Sequence, residues 1–289
     1  MGTVSENQRV WTDRDWQDKG DYWSRGWGGT ELLWWGTILP RIHAFVPTGS
    51  ILEIAPGYGR CTQYLKDLCH HLTVVDLTEK CIEACRQRFS SSPHLTYHVN
   101  DGKSLDMVPD RSIDFAFSYD SLVHVEADVI EAYLSQLARK LKPDGVGFIH
   151  HSNLGAYVSP RTGRLPFYVG NRLDDSNWRA MSVSAESFNK CCDGVGLRCL
   201  SQEIILFYPE SSIKWGQRVW RLRDITRKIA ERYGRVLNDC FSIFTPEHSA
   251  WARPNKVLVN KQFWEEVKSL RQLTQLYATS SFGRNSGEP

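Results

Sequence analysis

No apolar run in this 289-residue chain approaches the roughly 18 residues that a membrane span requires. The N-terminus, MGTVSENQRVWTDRDW, holds no apolar segment of the secretory kind. An excess of one charge is missing too: 35 basic and 33 acidic residues leave a formal charge of +2. That balance argues against a nucleic-acid partner, whose recognition needs a clustered basic surplus. Repeats and low-complexity stretches are absent. The eight cysteines form no CxxC pair, and Cys81 and Cys85 fall one helical turn apart. They read as reduced, small core residues of a cytoplasmic protein and not as a zinc or disulfide framework. A GxGxxG fingerprint near the N-terminus is also lacking, which counts against a nicotinamide-dependent dehydrogenase.

With hydrophobic residues at 41%, the chain can bury a substantial core, enough for one large α/β domain with insertions. Residues 1–48 are unusual in carrying Trp11, Trp16, Trp23, Trp27, Trp34 and Trp35 around Gly26, Gly28 and Gly29, and are expected to form a lid or pocket wall. From 49 onward the pattern is regular. Short apolar runs at 51–55, 72–76, 95–99, 113–120, 146–151, 197–207 and 239–245 predict seven strands. Helical periodicity separates them at 61–69, 78–89, 126–141 and 184–194, with further helices predicted at 215–233 and 263–277. Apolar runs alternating with helices imply parallel strands covered on both faces, hence a doubly wound, mostly parallel, Rossmann-like sheet. Excursions near 152–183 and 208–235 exceed ordinary loop lengths and are expected to wall a substrate pocket.

Three features fall in order at the carboxyl ends of successive strands, where an open α/β sheet binds ligands. Glu53-Ile-Ala-Pro-Gly57-Tyr-Gly59 lies at a strand-to-helix turn, where glycines let the backbone approach a ligand. Asp76 ends the second strand, where an acid can accept two ribose hydroxyls. Asn100-Asp101-Gly102 follows the third, within reach of an adenine amino group. The glycine pair alone fits a plain turn equally well. The ordered set is what points to a nucleoside.

On these residues, segment 51–151 resembles the core of the class I S-adenosylmethionine-dependent methyltransferases. YDSLVHV (119–125) and LARKLKPDGVGFI (137–149) extend the likeness. The resemblance implies that Glu53, Ala55, Gly57, Tyr58, Gly59, Asp76, Leu77, Asp101, Gly102 and Tyr119 bind the cofactor. Ala55 stands where many relatives carry glycine, which costs little if its φ is negative. WGGTELLWWGTILPRI, HVNDGKSL, GFIHHSNL and WARPN are similar to a bacterial group of sugar-directed O-methyltransferases. That likeness implies a carbohydrate acceptor, such as the 1-OH of a short 3-O-methylated mannoside in polysaccharide assembly. A lipid, polyketide or other small-molecule acceptor, or a non-catalytic S-adenosylmethionine-binding protein, are the alternatives, and a homodimer is open.

An alcohol is a poor nucleophile, so methyl transfer to it calls for a base or a Lewis acid as well as alignment. Candidates lie at the carboxyl ends of strands four and five. His124, His150 or His151 is the expected base, with Asp120 holding the acceptor or a metal. Strand alternation sends the rings of His150 and His151 to opposite faces, so at most one meets substrate. Asp120, Asn153 and Asp239 offer oxygen donors to Mg²⁺. The tryptophans are either core or sugar-stacking faces whose indole N–H groups bond hydroxyls. Arg161, Arg164, Arg172 and Arg179 are solvated or orient an acceptor. The basic stretch 214–232 reads as an amphipathic helix with a solvated face.

Overall fold

The computed structural model describes residues 2–166, 178–206 and 236–279. Its centre is one sheet with strands β1 (Thr48–Ile54), β2 (Cys69–Asp76), β3 (Leu95–Val99), β4 (Ile113–Ser118), β5 (Leu141–Ser152), β6 (Leu197–Ile205), β7 (Asp239–Pro246) and β8 (Lys256–Asn260). They run in the order β3-β2-β1-β4-β5-β7-β6-β8. The first five pair in parallel, β7 lies antiparallel between β5 and β6, and β8 pairs parallel with β6. The doubly wound class follows the sequence pattern, but the sheet has eight strands where the sequence predicts seven. The eighth escaped because burial does not alternate along it: Val257, Leu258 and Val259 are all exposed. Backbone pairing with β6, and not a buried face, makes it a strand.

Helices α1 (Val4–Asp13), α2 (Thr30–Leu33), α3 (Leu39–Ile42), α4 (Thr62–Leu65), α5 (Glu79–Arg88), α6 (Ala127–Lys140), α7 (Ala185–Gly194) and α8 (Phe263–Thr279) flank this sheet. Local chemistry sets several of their starts. Thr3 and Glu6 close a reciprocal capping box on α1, Ser184 and Ser187 one on α7, and the Thr78 hydroxyl accepts from Cys81 N at α5. One core joins Ile51, Leu72, Phe115 and Phe148 to Trp27, Leu33, Trp34 and Ile38, so the N-terminal segment shares the core of the sheet. A second core, under α6 and α7, is built from Leu52, Ile149, Leu134, Phe188 and Phe244.

Strand order reverses between β1 and β4, where crossover chains leave the sheet in opposite directions and open a crevice at the carboxyl ends. The turn after β1 and the 3-10 turn Leu122–His124 after β4 face that crevice. The excursion after β5 is described at 152–166 and 178–183; Arg172 and the segments 208–235 and 214–232 lie outside the described residues. Among the described residues no helix is long and apolar enough to cross a membrane.

Candidate functional site

The crevice holds two adjoining cavities of about 580 and 610 Å³, both open on one side. The first is lined by the turn after β1 (Glu53, Ala55 to Tyr58, Arg60, Cys61), by Tyr119 to Ser121, His124 and Arg179, and by Trp11, Trp16 and Trp23. The second is lined by Asp76, Leu77, Gly102, Val75, Leu122, Val125 and Tyr133, with Asn7, Trp11 and Trp16 above. Trp11, Trp16, Ala55, Gly57 and Ser121 border both.

The turn after β1 is built from left-handed backbone. Gly57 and Gly59 have φ of 58° and 81°, and a side chain at Gly57 would meet the Trp16 ring at 2.8 Å. Ala55 also has a positive φ, 57°, contrary to the negative value that would make alanine free of cost there. Its peptide is held by hydrogen bonds: Ala55 N donates to Val75 O at 2.7 Å, and Ser121 Oγ donates to Ala55 O at 2.7 Å. Asp120, at the matching place after β4, is left-handed too, with φ 58°. Strained positions of this kind persist where surrounding structure over-determines them, and here both face one cavity.

Glu53 is buried and accepts from Thr62 Oγ1 at 2.6 Å; burial, aided by Asp76, pushes its carboxyl up to about 8. Burial also lifts Asp76 to about 6, against hydrogen bonds from Thr78 and from Gly57 N. Asp76 and Leu77 line the second cavity. Asp101 does not reach this cavity: its Oδ1 accepts from Lys103 N and Ser104 N, which turns it into its own loop. The third-strand end contributes Gly102 instead, over which Val4 of α1 packs closely enough that a Cβ would lie 2.8 Å away. Burial raises the thiols of Cys61 and Cys81, which line the two cavities, so neither is a nucleophile at neutral pH.

Of the three candidate histidines only His124 lines the cavity. Its Nδ1 donates to Trp178 O at 2.6 Å, while Trp178 Nε1 donates back to His124 O at 3.2 Å. That fixes the tautomer with the lone pair on Nε2, which has no partner among the described residues. Burial and Arg179 drive its pKa down to about 3, not near neutrality as the sequence reading assumed. His150 is on the same side but committed. Asp120 N donates to its Nδ1 at 3.1 Å, and its Nε2 bonds Asp239 Oδ2 at 3.0 Å. His151 points to the other face, stacked on Phe188 at 4.2 Å between Ser152 O and Ser242 Oγ. Alternation along β5 was read correctly, but neither ring offers a free base.

The expected magnesium ligands also do not fit a metal. The guanidinium of Arg179 lies between the two carboxylates, with Nε 2.8 Å from Asp239 Oδ1 and Nη2 3.7 Å from Asp120 Oδ1. Arg60 Nη2 takes the other Asp120 oxygen at 2.9 Å. Asn153 uses both ends on backbone, donating to Leu237 O and accepting from Ala185 N. Among the described residues no cluster of three His, Cys, Asp or Glu side chains is placed to hold an ion. Burial would raise Asp239, but Arg179 and His150 together hold it below the ordinary carboxylate range. Arginine does there what a metal was expected to do.

Sequence reasoning missed Arg60 and underrated Arg179. Arg60 Nη1 and the Tyr119 hydroxyl are buried without a protein partner among the described residues, and both residues line the first cavity. Arg60 follows directly on the glycine pair, which was its available signal. Arg161 and Arg164 are exposed, as a solvated loop requires. Trp27 and Trp34 are core, Trp35 is exposed, and Trp11, Trp16 and Trp23 line the cavity. The indole N–H of Trp11 donates to Asn7 Oδ1 and that of Trp16 to Trp11 O, so neither is available to a hydroxyl.

A buried cation and hydroxyl seeking an acceptor, a glycine cradle, and an acid at the end of β2 suit a ligand with an amino-acid end and a nucleoside end. Residues 51–145 match the family model of a methyltransferase domain. The fold agrees: a Leishmania major S-adenosylmethionine-dependent methyltransferase superposes with a TM-score of 0.54 at 10% identity, over 84% of this chain and 82% of that one. A methyltransferase solved in complex with a Haloferax volcanii methyltransferase activator gives 0.51 at 18% identity, over 80% and 97%. The segment 51–145 thus resembles a methyltransferase domain, and the fold is the one these methyltransferases share. In sequence, the chain is 34% identical over 82 residues to ribosomal RNA small subunit methyltransferase A of Geobacter sulfurreducens, covering 27% of this chain and 30% of the relative. It is 24% identical over 120 residues to the enzyme of that name from Dehalococcoides mccartyi, covering 41% and 40%. The chain therefore spans less than half the length of these curated relatives.

Proposed function

We propose that this protein is an S-adenosylmethionine-dependent O-methyltransferase whose acceptor is a carbohydrate hydroxyl, such as the 1-OH of a short 3-O-methylated mannoside. The reading rests on one observation above all. His124, with its tautomer fixed by Trp178 and Nε2 left without a partner among the described residues, lines the same cavity that the glycine turn and Arg60 border. The cofactor, when bound, supplies an electrophilic methyl group. Glu53, the backbone of 55–59, Arg60 and Tyr119 would hold its amino-acid end, and Asp76, Leu77, Gly102 and Tyr133 its nucleoside.

His124 is neutral at physiological pH, so Nε2 accepts a hydrogen bond from the acceptor hydroxyl and orients its oxygen. A pKa of about 3 makes it a weak base, which suffices here. The hydroxyl proton becomes far more acidic as its oxygen bonds to carbon, so it passes to Nε2 late in the transfer. The Arg60–Asp120 pair sets the unpartnered Arg60 Nη1 beside carboxylate oxygens with lone pairs to spare, a pattern suited to vicinal hydroxyls. The two arginines and two aspartates balance in charge, which favours an uncharged acceptor over an anionic one. Trp23, over whose ring the Arg14 guanidinium lies, lines the same cavity with aromatic surface suited to the C–H groups of a sugar.

The test is a panel of mannosides, lipids, polyketide-like phenols and ribosomal RNA incubated with labelled cofactor. Release of S-adenosylhomocysteine dependent on a sugar is the expected result. Release with RNA or lipid alone would replace the acceptor, and binding without release on any acceptor would point to a non-catalytic cofactor-binding protein.

A further inference from the structure

The five residues bordering both cavities, Trp11, Trp16, Ala55, Gly57 and Ser121, include no charged side chain. Resting on the reading of the cofactor given above, a molecule with its amino-acid end in one cavity and its nucleoside in the other must cross this shared wall. The atom that joins those halves is the sulfur, positively charged before methyl transfer and neutral after it. A sulfonium carries no hydrogen to donate, so hydrogen-bond acceptors cannot grip it as they would an ammonium. The carboxylates lining the two cavities have protein partners: Glu53 accepts from Thr62. Asp76 is bonded to Thr78 and Gly57 N, and Asp120 to Arg60 with Arg179 beside it.

What the wall does offer is two indoles. Their centroids are 5.8 Å apart, with Trp16 stacked on Tyr58 at 4.8 Å and Trp11 against Trp178 at 5.9 Å and His124 at 5.3 Å. Both N–H groups are consumed inside the protein, Trp11 on Asn7 and Trp16 on the Trp11 carbonyl. These bonds fix the rings, and with Tyr58 on one face of Trp16 and Trp178 on one face of Trp11, what a ligand meets is the remaining aromatic surface. Electron-rich indole surfaces attract a cation and are indifferent to the same group once neutral. Helix α1, which carries Trp11, is latched in place through Asn7 Nδ2 on the carbonyls of Gly2, Thr3 and His124.

We propose that Trp11 and Trp16 discriminate between the methylated donor and its demethylated product, holding the sulfonium by its charge and loosening when that charge is lost. The pair would then favour turnover by weakening product inhibition, a role separate from packing and from acceptor binding.

Calorimetric binding to the full-length protein tests this without any acceptor. S-adenosylmethionine, S-adenosylhomocysteine and sinefungin, which carries an ammonium in place of the methylsulfonium, are titrated into wild type, Trp11→Leu, Trp16→Leu and the ring-preserving Trp16→Phe. The expected result is that at least one leucine variant weakens both charged ligands about 3- to 10-fold more than the product, the range expected for a cation against an indole. Trp16→Phe should keep part of that preference. Equal weakening of all three ligands, or no change in their ratios, in both leucine variants would overturn the proposal and leave the tryptophans as walls. Failure of the wild type to bind any of the three would instead refute the cofactor reading beneath it.

Discussion

Replacing Arg179 with methionine strips the cation from between two buried carboxylates and leaves its aliphatic volume nearly intact. Arg179 is 3% exposed and Asp239 fully buried, with two contacts of 2.8 and 3.0 Å between them. Breaking a buried pair by removing one partner costs about 3–5 kcal/mol, because the other charge stays desolvated. Against a total stability of about 5–15 kcal/mol this is a large fraction, equivalent to a fall in Tm on the order of 10 °C. The pH dependence has a definite sign. In the wild type Asp239 is held below its ordinary range, so its contribution is present above the unfolded carboxylate pKa of about 3.9 and is lost on acidification below it. Without Arg179, burial raises Asp239, and the variant regains stability relative to wild type as pH falls from about 7 toward 4. Urea unfolding at several pH values, with Asp239→Asn alone and in the double variant, measures both effects. Neutralising Asp239 should rescue most of the loss. A cost under about 1 kcal/mol at pH 7, the level of a surface pair, or a deficit that does not shrink on acidification, would refute the reasoning.

Other expectations follow from the same geometry. His124→Ala should abolish turnover while changing cofactor affinity by no more than about twofold, whereas His151→Ala should cost about 1–3 kcal/mol of stability through its buried partners and spare turnover per folded molecule. Because His124 is neutral above about pH 3, the kcat profile between about pH 5.5 and 8 should show no inflection from it. Glu53 and Asp76 are raised to about 8 and about 6, so the cofactor-free protein should lose stability as pH rises through those values, by at most about 1.4 kcal/mol per unit per group. Glu53→Gln should remove the part of that slope lying between about pH 4.5 and 8 in urea titrations. Ala55→Gly relieves a left-handed alanine and should hold or raise stability by up to about 1 kcal/mol; a clear loss would show that the strain is absent.

The fold was largely legible because its signals are local. Apolar runs ending in Asp76 or in the turn at Gly57, and the periodic face of α6, need only neighbours a few residues away to declare themselves. β8 was illegible for the opposite reason, since an edge strand with exposed side chains is defined by a backbone partner some 55 residues distant in sequence, Ser201 facing Lys256. The site was legible by position and not by direction. Asp101 and Gly102 are adjacent, yet one turns into its loop and the other floors the cavity.

Taken alone, the sequence determined which residues stand at the carboxyl ends of the strands, because strand spacing and glycine turns are written in short stretches of chain. It could not determine that Arg179 would neutralise Asp120 and Asp239, that Trp178 would fix the tautomer of His124, or that Trp11 and Trp16 would spend their N–H groups internally. Those outcomes join residues from 4 to 60 positions apart, and hydrogen-bond direction and desolvation exist only once the chain has brought such groups within about 3 to 4 Å of each other. Burial then decided the charges, making an arginine the cation where a metal was expected and keeping His124, which lines the cavity, neutral.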